Sequence, residues 1–86
     1  SFPNPFNSSI NINFLLSFPI YTKITIFDIK GNKINELIDE IKPTGSYSVT
    51  WNGMSEKGSP VSTGLYFILF ELNGQHVETE KVVFLK

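Results

Sequence analysis

Apolar and polar residues alternate along this chain in short runs, and each run is closed by turn-forming residues. A period of two is that of half-buried β-strands. Ile10, Ile12 and Phe14 alternate with Asn11 and Asn13, which predicts a strand with one wet face that ends or breaks at Pro19. A second strand is predicted over 21–29, with Ile24 and Ile26 on one face and Lys23, Thr25 and Phe27 on the other. Asp28, Gly31 and Asn32 then supply a hairpin turn, because an aspartate bonds nearby backbone groups and a glycine takes positive φ freely. The third strand, 33–41, carries two patterns at once. Ile34, Leu37, Ile38 and Ile41 recur at helical spacing, yet no N-cap precedes them and strong strand patterns lie on either side, which favours strand.

Pro43-Thr44-Gly45 marks a turn, after which Tyr47, Val49 and Trp51 point inward and Ser46, Ser48 and Thr50 outward in the cleanest alternation of the chain. The stretch 52–64 holds Asn52-Gly53, Gly58, Pro60 and Gly64 among polar residues and reads as a long surface loop with a short bridge at Val61. Residues 65–72 are almost unbroken apolar, the pattern of a strand covered on both faces, in the middle of a sheet or between sheets. Asn73-Gly74 is a strong hairpin pair, and a last strand over 75–85 returns antiparallel. Ahead of all these, Pro3 and Pro5 make 1–9 an extended lead-in. The sum is an all-β chain, a two-layer antiparallel β-sandwich of about six to seven strands that occupies 1–86 as a single domain.

Composition supports this and narrows the function. Hydrophobic residues are 41% and aromatics 14% of the 86 residues, with a net charge of only -1, which is the profile of a folded chain. There is no Ala, the best helix former, although an AT-rich genome would also select the abundant Ile, Asn, Lys and Phe. All 7 basic residues are Lys, so the bidentate donors and basic field of nucleic-acid binders are missing. Without Cys there is neither a disulfide nor a thiolate metal site. No apolar run reaches the roughly 20 residues of a membrane-spanning helix. The absence of an initiator Met and of a signal peptide suggests a processed product or a piece of a longer chain.

Candidate chemistry is sparse. The single His, His76, sits two residues past the Asn73-Gly74 turn with no partner constellation and reads as a solvent-facing side chain. Asp39-Glu40 and Glu78 with Glu80 read as a solvated face, and a domain this small is not expected to hold a cleft of the usual few hundred Å³. Asp28, Asn32, Asn52 and Glu56 offer hard oxygen ligands for Ca²⁺ but at no dedicated spacing, so turn capping by Asp28 is the simpler reading. Asn7-Ser8-Ser9 is a glycosylation acceptor pattern. Tyr47, Trp51, Tyr66, Phe67 and Phe70 either fill the core or, if two rings were exposed and coplanar, form a sugar-stacking platform. No catalytic residue, metal site or cofactor is predicted.

Five separated stretches share a further pattern: 2–7 (FPNPFN), 26–31 (IFDIKG), 45–53 (GSYSVTWNG), 58–67 (GSPVSTGLYF) and 78–86 (ETEKVVFLK). In that order they resemble the type IX secretion system type A C-terminal sorting domain and the related Ig-like domain of the flagellar hook-capping protein. Asn32 stands between the hairpin Gly31 and Lys33, and Glu80-Lys81 stands where family members commonly carry two lysines.

The resemblance implies an Ig-like β-sandwich at the C-terminus of secreted bacterial surface proteins. It would be read by the outer-membrane secretion machinery after passage through the periplasm, and often removed by a sortase-like peptidase that anchors the cargo at the cell surface. It also implies recognition residues: Pro3, Asn4 and Pro5 of the lead-in, Gly64, where the chain turns out of the loop, Tyr66, and Lys81 and Lys86 of a basic C-terminal strand. Asp28, Gly31, Trp51, Gly53 and Gly74 take the structural turn and core roles.

Two other functions compete with a sorting module. A free-standing subunit could build an extracellular filament or sheath by strand-edge or donor-strand contacts, with 65–70 as the association-prone strand. A carbohydrate-binding accessory module would need the exposed rings.

Overall fold

The computed structural model describes residues 4–6 and 9–86. Its regular elements are the strands β1 (Asn4–Phe6), β2 (Ile10–Leu16), β3 (Ile20–Asp28), β4 (Lys33–Lys42), β5 (Gly45–Trp51), β6 (Gly64–Leu72) and β7 (Gln75–Phe84). They form a five-stranded sheet in the order β1-β7-β6-β3-β4 and a two-stranded sheet of β2 and β5. All pairs are antiparallel except β1, which lies within the segment read as a lead-in and runs parallel to β7 with Asn4 opposite Val82 and Phe6 opposite Phe84.

The core lies between the layers. Ile24, Ile26, Tyr66, Ile68, Val82 and Phe84 rise from the large sheet, Trp51 descends from the small one, and Val61 is drawn in from the loop. Ile10, Ile12, Phe14 and Val49 complete the lid from the small sheet, as their alternation with polar residues predicts. With no Cys, burial of this apolar surface, worth about 25 cal/mol per Å², holds the layers together.

The helical spacing in 33–41 has a physical origin. The β3–β4 ladder pairs Ile24 with Ile38 but Thr25 with Glu36, and Ile26 with Asn35 but Phe27 with Lys33. Leu37 and Ile34 are therefore additional residues at two β-bulges, and each bulge resets the alternation so that Ile34, Leu37 and Ile38 all reach the core. Ile41, the last of the series, is 72% exposed.

Three expectations change. The bridge expected at Val61 forms one residue earlier, between Met54 and Pro60, because the Val61 side chain is committed to the core while its N–H donates to the Gly53 carbonyl at 2.9 Å. β6 is the central strand, flanked by β3 and β7, but the small sheet covers only the Tyr66, Ile68 and Phe70 face. Leu65, Phe67 and Leu69 point the other way and stay partly exposed, so Phe67 is not a core ring. Because both neighbours of β6 are in place, 65–70 offers no free edge for fibre growth.

Candidate functional site

The residues singled out in the sequence gather mostly at one end of the sandwich. Across the large sheet, Asp28 lies opposite Tyr66, Tyr66 opposite Val82, and Val82 opposite Asn4. The same ladder continues to Gly64, Phe84 and Phe6. The β3–β4 turn with Asp28 and Gly31, the start of β6 with Gly64 and Tyr66, the end of β7, and β1 with Asn4 and Pro5 thus form one rim. Pro3 and the Asn7-Ser8 portion of the acceptor pattern lie outside the described residues. Gly64 does not turn the chain: its φ is not positive, it opens β6 as a strand residue, and a Cβ there would meet nothing nearer than the Tyr66 ring at 4.0 Å. Lys81 is exposed on β7 opposite Phe67, and Lys86 is exposed with its N–H donating to Thr63 Oγ1 at 2.9 Å. Gly74, with φ +79 beside Asn73 at +53, makes a tight hairpin at the opposite end.

The rim is built by hydrogen bonds to the backbone. Asp28 accepts from the N–H of Lys30 at 2.9 Å and of Asn32 at 2.8 Å through Oδ1, and from Asn32 Nδ2 at 3.2 Å through Oδ2. Gly31, at φ +85, lets the chain close under this carboxylate. Trp51 Nε1 donates to the Met54 carbonyl at 2.9 Å, which Asn35 Nδ2 also reaches at 2.9 Å, so the 52–64 loop is tied to both sheets. The Trp51 ring meets Tyr66 edge-on at 5.4 Å and Phe84 at 6.4 Å. Tyr66 donates its hydroxyl to the Ser62 carbonyl at 2.7 Å. Burial, with the nearby Asp28 carboxylate second, pushes the Tyr66 hydroxyl pKa above its usual 10.0.

Asp28 carries a pH prediction. The hydrogen bond from the Asn32 backbone, more than any other contact, holds its carboxyl below the ordinary value of 3.8. A depressed folded pKa contributes stability that is present above the unfolded value and lost as pH falls through the folded one. D28N should therefore unfold at lower urea than the wild type at neutral pH, and the gap should narrow as the pH falls through the unfolded value of 3.8 and below it. Equal midpoints at every pH would show that the turn does not depend on the charge.

These oxygens do not converge as a cation site. The Asp28 carboxylate is occupied by the turn, Asn52 Oδ1 accepts from the Met54 N–H at 3.2 Å, and Glu56 pairs with Lys33 at 3.1 Å. Among the described residues no group of three or more His, Cys, Asp or Glu is placed to hold a metal. His76 is exposed and its Nε2 lies 2.7 Å from Thr79 Oγ1. On the rings, the core reading holds for Trp51 and Tyr66, and Phe70 packs against that core. Tyr47 stacks on Phe14 at 5.3 Å and donates to the Pro43 carbonyl at 2.6 Å.

Two further features concern the acids and the space between the layers. A groove of about 250 Å³ opens between the layers alongside β2. Glu78, exposed, and Glu80, half-buried, stand at its margin, in phase with the buried Val82 and Phe84 of the same strand. That period-two relation is visible in the sequence. The groove itself is not, since it depends on which strands the small sheet leaves uncovered.

The sequence matches the family model described as "Secretion system C-terminal sorting domain" over residues 1–85. Among solved structures it is similar to dimeric latent PorU from Porphyromonas gingivalis, with 18% identity and a TM-score of 0.76. That likeness covers 98% of this chain and 9% of PorU, and at this identity it speaks for the fold alone. No curated protein matches the sequence.

Proposed function

Since the chain belongs to the family of secretion-system C-terminal sorting domains, we propose that it is a non-catalytic sorting and anchoring module of a secreted bacterial surface protein. In this reading the type IX machinery of the outer membrane recognises the folded domain after it has reached the periplasm, and a sortase-like peptidase processes it. The observation that carries the reading is the family match over 1–85. Its physical support is that the strand ladder brings the backbone positions of Asn4, Tyr66 and Asp28 to neighbouring strand ends at one rim of the large sheet. Pro3, Gly64, Lys81 and Lys86 are assigned to the same recognition role by the family resemblance.

Fusion of residues 1–86 behind a reporter in a host with this secretion system tests it. The reporter should appear at the cell surface or in the medium, and a strain lacking the outer-membrane translocon should hold it in the periplasm. A reporter that stays periplasmic in the competent host overturns the reading.

A further inference from the structure

We infer that Asn73-Gly74, at the tip of the β6–β7 hairpin, is a site of spontaneous modification in the folded domain. The Asn73 side chain loses its amide there, leaving aspartate or isoaspartate, and the isoaspartate loosens the hairpin as far as Val77. This goes beyond the sorting reading and does not depend on it.

The chemistry needs only water. Asn52 and Asn73 are the asparagines followed by glycine, the residue whose missing Cβ leaves its backbone nitrogen least hindered. The Gly74 nitrogen attacks Cγ of Asn73. A Cγ–N bond forms, the Gly74 N–H proton is given up, and the side-chain nitrogen leaves with it as ammonia, which closes a five-membered succinimide ring. Water then opens the ring at either carbonyl. Breaking the new bond gives aspartate. Breaking the original peptide bond leaves the chain running through the side-chain carbon as isoaspartate, with the main-chain carboxylate free. The sum is one water consumed and one ammonia released.

The dipeptide makes the two sites equivalent, and the fold separates them. Gly53 is buried, a Cβ on it would sit 2.6 Å from the Phe84 ring, and its carbonyl accepts from the Val61 N–H at 2.9 Å. Asn52 Oδ1 accepts from the Met54 N–H, and the Met54 carbonyl is held by Trp51 Nε1. Rotating the Gly53 peptide for ring closure therefore disturbs Trp51, Val61 and Phe84 together, so its opening approaches global unfolding in cost.

At the hairpin tip the same motion is local. Asn73, at φ +53, and Gly74, at φ +79, are exposed, and a Cβ on Gly74 would meet nothing within 4 Å. The Asn73 side chain makes no hydrogen bond among the described residues. This turn geometry holds the Gly74 nitrogen away from Cγ, so closure runs from an opened tip. Opening is confined by a bulge: Glu71 pairs with His76 but Phe70 with Glu78, which makes Val77 an additional residue and leaves two pairs beyond it, Glu71–His76 and Leu72–Gln75. β1 reaches only Val82–Phe84, so among the described residues 75–77 is held from the β6 side alone. Asn73 itself is anchored, its N–H donating to the Tyr21 carbonyl at 2.8 Å. Peeling of 74–77 thus swings the Gly74 nitrogen past a fixed Asn73. Of the two products, aspartate keeps the turn, since Asp-Gly forms the same two-residue hairpin. Isoaspartate adds a methylene to the backbone, and the two pairs beyond the bulge lose their register.

The test ages the purified 1–86 chain in mildly alkaline buffer, folded and in concentrated urea. Digests are read by mass spectrometry with electron-transfer fragmentation, which tells aspartate from isoaspartate. In the folded chain Asn73 should convert at least about tenfold faster than Asn52. In urea the two rates should come together, because both sites are then Asn-Gly in an open chain. Amide NMR of the separated isoaspartate form should show 71–77 shifted towards unfolded values with 80–84 unchanged. Conversion at Asn52 as fast as at Asn73 in the folded chain, a rate ratio that urea leaves unaltered, or an isoaspartate form with wild-type resonances over 71–77 would each overturn the inference. All of these are read on the isolated chain, so a failed reporter fusion leaves them standing.

Discussion

Trp51→Ala is expected to cost this domain a large share of its stability. Trp51 is fully buried, is the largest such side chain, and comes from the small sheet, whose hold on the large one rests on few side chains. Truncating a buried aromatic of this size costs about 3–5 kcal/mol through lost transfer energy and the cavity left behind. The edge contact with Tyr66 and the hydrogen bond to the Met54 carbonyl go with it. For 86 residues the whole net stability is about 4–13 kcal/mol. The loss is therefore between about a quarter of the total and all of it. Urea unfolding followed by far-UV circular dichroism measures it, since the variant has no tryptophan left for fluorescence. A midpoint close to that of the wild type would mean that the small sheet is held by something other than this anchor.

The second large effect belongs to Gly53→Ala, and it is best read against Gly31→Ala. Both glycines have φ in the left-handed region, +76 and +85, so alanine is strained by about 1–2 kcal/mol at either position. Only Gly53 also faces a wall. A Cβ at Gly53 would sit 2.6 Å from Cε1 and 2.9 Å from Cζ of the buried Phe84 ring, whereas at Gly31 nothing lies within 4 Å. Forcing the ring aside adds about 1–3 kcal/mol of overpacking. G53A should accordingly unfold at clearly lower urea than G31A, and the ring displaced is the one on the last residue of β7, opposite Phe6 of β1. Equal losses in the two variants would show that backbone strain alone sets the cost and that the packing of the 52–64 loop on β7 is loose.

The regions of the fold that were legible are those in which one residue plays one role. Tyr47, Val49 and Trp51 alternate with serines and threonine, and they point inward in the structure because a strand offers no other arrangement. Asn73-Gly74 makes its turn for a local reason that needs no knowledge of the rest of the chain. Where two distant strands decide the outcome, the pattern misled. Leu37 and Ile34 imitate a helix because β4 yields its register to β3 twice. Phe67 belongs to an apolar run that suggests two covered faces, yet the small sheet lies on one face only and Phe67 points to the other. Glu78 and Glu80 do stand at the surface, as their charge suggests, but that they sit beside Phe70 and Ile68 follows only once the uncovered strip of the large sheet is known. The candidate rim was legible as separate motifs. Its coherence, from Asp28 through Tyr66 and Val82 to Asn4, appears only when β1 is seen to join the sheet beside β7.

That parallel pairing has a mechanical meaning. Asn4–Phe6 and Val82–Phe84 run in the same direction, so tension applied to the backbone before β1 and after β7 drives the two strands past each other lengthwise. The three ladder positions then bear the load together, in shear, whereas an antiparallel pair pulled from its open end would separate rung by rung like a zip. Force between the two ends of this chain therefore meets this sheared junction first, and the four strands behind it, β7-β6-β3-β4, are spared until it gives way.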